Sequence, residues 1–279
     1  MVNSKKMPGR FEGLSDIEWK LFEDIFPQQP EKRGKGMPHT PFRYVLNTLL
    51  YILITGCRWC DVPAGEIWAS KSSAHRWLKR WEEDGTLKHL QGRILGIAEN
   101  QGLINWSYGA VDGSFSPGKG GGEDVAYGHK GKGILIHTLT EGNGLPVANC
   151  TTPANGNERE QLIPLIDATN LKTHKRGRPR KRFQVIAADK GYDCQRQRQA
   201  LRRRGIRPQL PKRLWKGKKK PGRPIKISVP RFQQERCFAW YQRKYRRLVV
   251  RWERISACFD AFLAIATIHI WINRILLVG

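Results

Sequence analysis

Two aspartates each close a short apolar run. Val185-Ile186-Ala187-Ala188 stops at Asp189-Lys190-Gly191-Tyr192-Asp193, and Gly109-Ala110-Val111 stops at Asp112-Gly113-Ser114-Phe115. Runs this short, uncharged and partly β-branched read as buried strands, and open α/β sheets place ligand sites at the C-terminal ends of their strands. Asp189 taken alone reads as the cap of a following helix. Two strand-borne carboxylates in one chain read instead as a pair that holds a divalent metal, because Mg²⁺ takes oxygen ligands and is often held by one or two carboxylates together with substrate phosphates. Two such ions, roughly 3.5–4 Å apart, stabilise the attacking and leaving oxygens of an in-line displacement. That chemistry cuts or joins phosphodiesters. Glu235 stands alone among cations further along the chain. It reads either as the salt-bridge partner of Arg231 or Arg236, or as a third metal-facing acid.

Composition points to the same class of partner. The chain has 279 residues, a hydrophobic content of 39% and a formal net charge of +26, from 50 Lys+Arg against 24 Asp+Glu. Such an excess calls for a polyanion. It is concentrated between Lys172 and Lys226, which hold 22 cations and only two acids, Asp189 and Asp193. Nucleic acid fits this better than a membrane surface, since neutralised phosphates release counterions, and the stretch carries strand and turn signals rather than one long amphipathic helix. Of the six cysteines only Cys57 and Cys60 are close, and no further ligand pair follows them, so reduced thiols are expected rather than zinc. No signal peptide is read in the polar segment from Met1 to Gly13. The apolar stretch from Ile255 to Val278, interrupted by Asp260, His269 and Arg274, reads as a buried helix and not a membrane span.

The elements that must position these acids follow from periodicity. An all-α module is expected over residues 1–104. Its helices are Ser15–Phe26, with a Ser15/Glu18 capping box, Phe42–Thr55, Ser70–Asp84 and Leu87–Glu99. Two readings stand for it, a helix-turn-helix that docks on DNA and a cap that packs on the main domain. Residues 105–279 are expected to hold strands at Tyr108–Ser114, Ile134–Thr140, Leu145–Thr152, Val185–Ala188 and Ile206–Leu210. Asn143-Gly144 supplies a hairpin turn, and helices fill 158–168 and 195–204. This order gives an α/β fold, a mixed sheet flanked by helices that brings Asp112 and Asp189 to its middle. One long helix is expected from Arg231 to about Arg254, with Phe238, Tyr241, Tyr245, Leu248 and Trp252 on one stripe. Phe232, Trp240 and Trp252 read as core aromatics.

Taken together, several segments resemble the DDE transposases of insertion sequences, most closely the family named for insertion sequence five. They are Gly56-Cys57-Arg58-Trp59 with Asp61-Val62-Pro63, Val111-Asp112-Gly113-Ser114, Gly177-Arg178-Pro179-Arg180, Ala188-Asp189-Lys190-Gly191-Tyr192-Asp193, and Glu235-Arg236 with Phe238-Ala239-Trp240 and Arg246-Arg247-Leu248. The resemblance implies a ribonuclease H-like catalytic domain whose acids are Asp112, Asp189 and Glu235, spaced by 77 and 46 residues, with Glu253 the runner-up for the third. Of the Tyr-x₂-Arg-x₃-Glu-x₆-Lys pattern that surrounds the glutamate in related transposases, Arg231 and Glu235 fit. Ser228 and Gln242 replace the tyrosine and the lysine, with Arg243 alongside.

The resemblance further implies two Mg²⁺ or Mn²⁺ ions and cleavage at the ends of an insertion sequence. The freed 3′-hydroxyl is then transferred to target double-stranded DNA. A homodimer in the DNA complex and a cytoplasmic, nucleoid-associated location are also implied, with no membrane partner. DNA contacts are expected from Arg176, Arg178, Arg180, Lys181, Arg182, Arg231, Arg236, Arg243, Arg246 and Arg247. Arg176-Gly177-Arg178-Pro179 resembles an AT-hook core suited to a narrow minor groove, or serves as a solvated loop on phosphates. A non-catalytic DNA-binding regulator, a decayed transposase and a junction nuclease of the same fold are the competing expectations.

Overall fold

Six strands build one mixed sheet: β1 (Gly109–Pro117), β2 (Ala126–Gly128), β3 (Gly131–Glu141), β4 (Pro146–Pro153), β5 (Val185–Ala188) and β6 (Arg207–Gln209). The computed structural model of the protein describes residues 11–26, 39–169, 171, 183–212 and 232–278. The strand order is β2-β3-β1-β5-β6, with β4 also on β3. β1, β3 and β4 run antiparallel, whereas β5 and β6 join β1 in parallel. The β3–β4 hairpin turns at the expected Asn143-Gly144. Its anchor is Glu141, a fully buried carboxylate that accepts hydrogen bonds from the backbone N–H groups of Asn105 (2.9 Å), Asn143 (2.9 Å) and Leu145 (3.0 Å). Three donors offset the cost of taking that group out of water. β2 has only three residues and no period to read, and the sequence pattern does not anticipate it.

The helices are α1 (Asp16–Lys20), α2 (Phe42–Thr55), α3 (Lys71–Glu83), α4 (Thr86–Asn100), α5 (Leu162–Ala168), α6 (Gln195–Arg203), α7 (Phe232–Arg243) and α8 (Ser256–Val278). The capping box of α1 is present: the Ser15 hydroxyl accepts from the Glu18 N–H at 3.3 Å, and the Glu18 carboxylate accepts from the Ser15 N–H at 2.7 Å. α1 is a single turn followed by a 3₁₀ turn, shorter than expected.

α8 organises the packing. By length and composition it could cross a membrane, yet 67% of its apolar window is buried inside the protein. On one side lie α3 and α4. On the other, the Trp271 indole N–H donates to the Pro146 carbonyl at 2.6 Å and the Asn149 amide donates to Thr267 at 2.7 Å. One apolar cluster runs from Leu14 through the helical layer, α8 and the sheet to Ile275. The N-terminal helices therefore pack as a cap on the sheet layer.

The helix expected over 231–254 ends at Arg243, a correction with a visible cause. From Tyr245 onward the chain makes tertiary bonds in place of helical ones. The Ser116 hydroxyl donates to the Leu248 carbonyl at 3.1 Å, the Arg251 N–H donates to the Pro117 carbonyl at 2.9 Å, and the buried Arg247 and Glu253 side chains pair at 2.6 Å. Tyr241, Tyr245 and Leu248 are buried as expected, but Trp252 is 52% exposed and is not core.

A groove of about 900 Å³ is lined by residues of α3, α4, β4 and α8, with Glu82 and Asp260 among them. Burial, with a smaller contribution from Asp260, pushes the Glu82 carboxyl from its ordinary 4.5 up to about 7. A carboxyl raised on folding disfavours the native state once ionised, so stability increases as pH falls from about 7 through the unfolded value. Glu82→Gln is therefore expected to stabilise the protein at about pH 8, by at most about 3 kcal/mol before solvent screening. Near pH 4 the gain should vanish. Urea denaturation at both pH values measures this, and an equal difference at the two would refute the assignment.

Candidate active site at the ends of two parallel strands

The parallel register pairs Gly109 with Ile186, Ala110 with Ala187 and Val111 with Ala188. One residue further, Asp112 and Asp189 stand level on neighbouring strands, whose axes lie ~4.8 Å apart. Tyr108, Ala110, Val185 and Ala187 form a small buried cluster, and the two-residue alternation of strands puts Asp112 and Asp189 on that same face. β5 ends there: Lys190–Tyr192 form a 3₁₀ turn that carries the chain away. β1 continues, so its edge beyond Val111 is open toward the acids. The Asp112 carboxylate accepts from the Gly113 N–H at 2.8 Å.

A third carboxylate, which sequence reasoning missed, approaches from the other side. Glu158 opens the 3₁₀ turn before α5, where the Asn157 side chain accepts from the Arg159 N–H at 3.2 Å. The turn is tied to its surroundings: the Arg159 guanidinium donates to the Gly191 carbonyl at 3.2 Å and the Gln197 amide donates to the Arg159 carbonyl at 2.8 Å. Glu158 lies against Gly113, where a methyl group would meet the Glu158 carboxyl carbon at 3.6 Å and His137 Nδ1 at 3.5 Å, both ordinary contact distances. Burial first, then Asp112, and after it Asp189, push the Glu158 carboxyl upward, while Lys130 opposes the rise. The sequence signal was faint, a single acid in Asn155-Gly156-Asn157-Glu158 with no strand before it to give it a direction.

Two buried polar groups line the same space. His137 Nε2 lies 2.8 Å from the Thr152 hydroxyl, and Nδ1 has no hydrogen-bond partner among the described residues. Burial lowers this imidazole to about 4, so it is neutral at physiological pH. The Tyr192 hydroxyl also has no partner among the described residues. Burial and then the nearby acids, Glu158 and Asp112 foremost, raise its phenol. The two aspartates are oxygen donors of the kind that a hard divalent cation takes.

Glu235 lies on α7 beside a well-fixed neighbour. The buried Gln234 amide donates to the Thr138 carbonyl at 2.8 Å and accepts from the Thr140 hydroxyl at 2.8 Å, and Thr138 is the cross-strand partner of Asp112. Glu235 itself is exposed, off the buried stripe of Gln234, Cys237 and Tyr241. Among the described residues no three carboxylate, imidazole or thiol groups are gathered closely enough to hold a metal ion. The fold thus brings Asp112 and Asp189 together, sets Glu158 against them, and leaves Glu235 one residue from the side chain that docks α7 beside Asp112.

The expected DNA-contacting cations divide sharply. Arg176, Arg178, Arg180, Lys181, Arg182 and Arg231 lie outside the described residues. Arg243 and Arg246 are exposed. Arg236 is exposed as well, its guanidinium bonded to the Asn143 carbonyl and 5.4 Å from the Trp240 ring centre. Arg247 is a correction. It is buried, bonded to Glu253 at 2.6 Å and to the Cys57 carbonyl at 3.0 Å, and faces no DNA-accessible surface. Glu253, the runner-up acid, is spent in that pair. Cys57 and Cys60 are free thiols.

Comparison with known proteins bears on the same residues. Residues 14–91 match the family model described as "Putative transposase of IS4/5 family", and residues 107–271 match the model described as "Transposase DDE domain". A "Putative transposase for insertion sequence element IS402" of Burkholderia cepacia is 40% identical over 131 residues, 47% of this chain and 59% of that protein. An "Insertion element IS402 uncharacterized 16.2 kDa protein" of the same organism is 30% identical over 114 residues, 40% of this chain and 78% of that protein.

Proposed function

The chain belongs to the DDE transposase family, and from that premise we propose that it cuts the ends of an insertion sequence and transfers the resulting 3′-hydroxyls into target DNA. The reading is carried by the level register of Asp112 and Asp189, each one residue past the last parallel pair of β1 and β5 in a ribonuclease H-like sheet. Asp112 and Asp189 would hold Mg²⁺ or Mn²⁺, with Glu235, one residue from the Gln234 side chain that docks α7 beside Asp112, as the third ligand. When bound, two ions supply Lewis acidity to both oxygens of an in-line displacement.

The remaining work belongs to the chain. Glu158 sets the negative potential behind Asp112, and neutral His137 adds no competing charge. Burial keeps the Tyr192 phenol and the Cys150 thiol, the latter pushed up to about 12, in their protonated forms. Neither is an activated nucleophile, as a direct displacement by water or a 3′-hydroxyl requires. Arg236, Arg243 and Arg246 are exposed on α7 and just beyond it, and engage phosphates. The DNA complex is a homodimer.

Supercoiled plasmid nicking and strand joining with Mg²⁺ or Mn²⁺, against a chelator control, tests the reading. Metal-dependent joining separates it from a junction nuclease, and no cleavage with either metal would leave only a DNA-binding protein. Glu235→Gln is expected to reduce cleavage by at least about 10²-fold, and Glu158→Gln by less. The reverse order would make Glu158 the third acid, a reading favoured by its electrostatic coupling to both aspartates.

A further inference from the structure

β2 and the start of β3 form a hairpin that nothing above uses. Ala126 pairs with Gly133, Tyr127 with Lys132 and Gly128 with Gly131, around a His129-Lys130 tip. The arm lies flat against the turn that follows β4. A methyl group on Gly128 would come 2.1 Å from the Ala154 carbonyl oxygen, a position only glycine can occupy. The base is fixed as well: the Gly118 N–H donates to the Lys132 carbonyl at 3.0 Å and the Ala154 N–H donates to the Gly133 carbonyl at 3.2 Å. Four residues beyond Ala154 stands Glu158, and Lys130 is the cation that opposes the rise of its carboxyl. The arm is therefore stiff and stands at the rim of the acid site.

What it displays is unused within the protein. Tyr127 is 75% exposed, and His129, Lys130 and Lys132 are exposed around it. The Lys132 ammonium lies 5.9 Å from the Tyr127 ring centre, so the ring already packs beside a cation. An outward aromatic interleaved with lysines beside a phosphodiester-cutting site matches the chemistry of a nucleic acid, phosphates for the ammonium groups and a base for the ring.

We propose that the Ala126–Lys132 hairpin is a DNA-gripping arm, in which Lys130 and Lys132 engage phosphates flanking the scissile one and the Tyr127 ring stacks on a base where the duplex opens. The inference rests on the reading of Asp112 and Asp189 as the cutting site. Fluorescence anisotropy of the full chain without divalent metal, on a fully paired duplex and on one frayed at its end by mismatches, tests it. Lys130→Ala with Lys132→Ala is expected to weaken binding to both DNAs about tenfold and to lower the slope of log K against log salt by nearly 2, about 0.9 per lost phosphate contact. Tyr127→Ala should weaken the frayed duplex roughly tenfold with the slope unchanged, and Tyr127→Phe should bind as the parent does.

Parental affinity and slope in the lysine variant, or Tyr127→Phe as weak as Tyr127→Ala, would overturn the proposal. Since all four side chains are exposed, unchanged melting temperatures serve as the folding control. If the parent cuts with metal yet the arm variants bind normally, the arm fails and the transposase reading stands. If the arm variants lose binding as expected but no metal supports cutting, the reading fails and the arm stands as a DNA contact.

Discussion

Asp112→Ala and Asp189→Ala each lose plasmid cleavage by at least about 10³-fold, because the several kcal/mol that metal-assisted charge stabilisation supplies convert at about 1.4 kcal/mol per tenfold in rate. DNA binding without metal should change less than about threefold, since neither residue is a cation that neutralises phosphate. The structure makes the pair of variants informative. The two side chains stand level, each one residue past the last parallel pair, Val111 with Ala188, so each deletion should also weaken Mn²⁺ binding, which calorimetry reads without reference to turnover. Asp189→Asn keeps the shape of the side chain and removes its charge. It should fail as Asp189→Ala does, whereas a purely structural cap would tolerate it. Parental cleavage by either alanine variant would sink the assignment.

Arg247→Ala is expected to destabilise the protein by about 3–5 kcal/mol, the cost of leaving one member of a buried ion pair uncompensated. Glu253 would remain buried beside an empty space, with one carboxylate oxygen already lacking a partner among the described residues. The Cys57 carbonyl would lose its donor in the same step. In a chain of this size the melting temperature should fall by roughly 5–9 °C. Arg247→Met combined with Glu253→Leu removes both charges and should recover most of the loss, because apolar replacement of a buried pair is often neutral. If Arg247→Ala instead left stability intact and weakened DNA binding, the residue would belong with the DNA contacts that its sequence context suggested.

Particular residues show why some of the architecture was legible and some was not. The strands ending at Asp112 and Asp189 could be read because each is a short apolar run broken by one charge, and burial on both faces demands that pattern. α2, α3 and α8 could be read from apolar periodicity. The end of α7 could not. Arg246-Arg247-Leu248 continues a helical pattern, and the tertiary bonds of this segment with β1 and its contact with the end of α2 divert it. A methyl group on Gly56 would lie 3.0 Å from Arg246 Cβ. Arg247 looked like a phosphate ligand because its partner Glu253 lies beyond that unforeseen break. Glu158 and the β2 hairpin escaped for a different reason: a single acid after a turn and a strand of three residues carry no periodicity, and their meaning comes only from what the sheet places beside them.

The position of α8 in chain order has a further consequence. Its early neighbours, α3 and α4, are complete by Asn100, whereas α8 begins at Ser256. At about 5–20 residues per second a ribosome needs roughly 10–30 s to make the intervening polypeptide. Throughout that interval the apolar stripes of the cap have no permanent cover. The nascent polypeptide must then be shielded by transient collapse or by chaperones, so the rate at which the protein reaches its native state is tied to the emergence of α8.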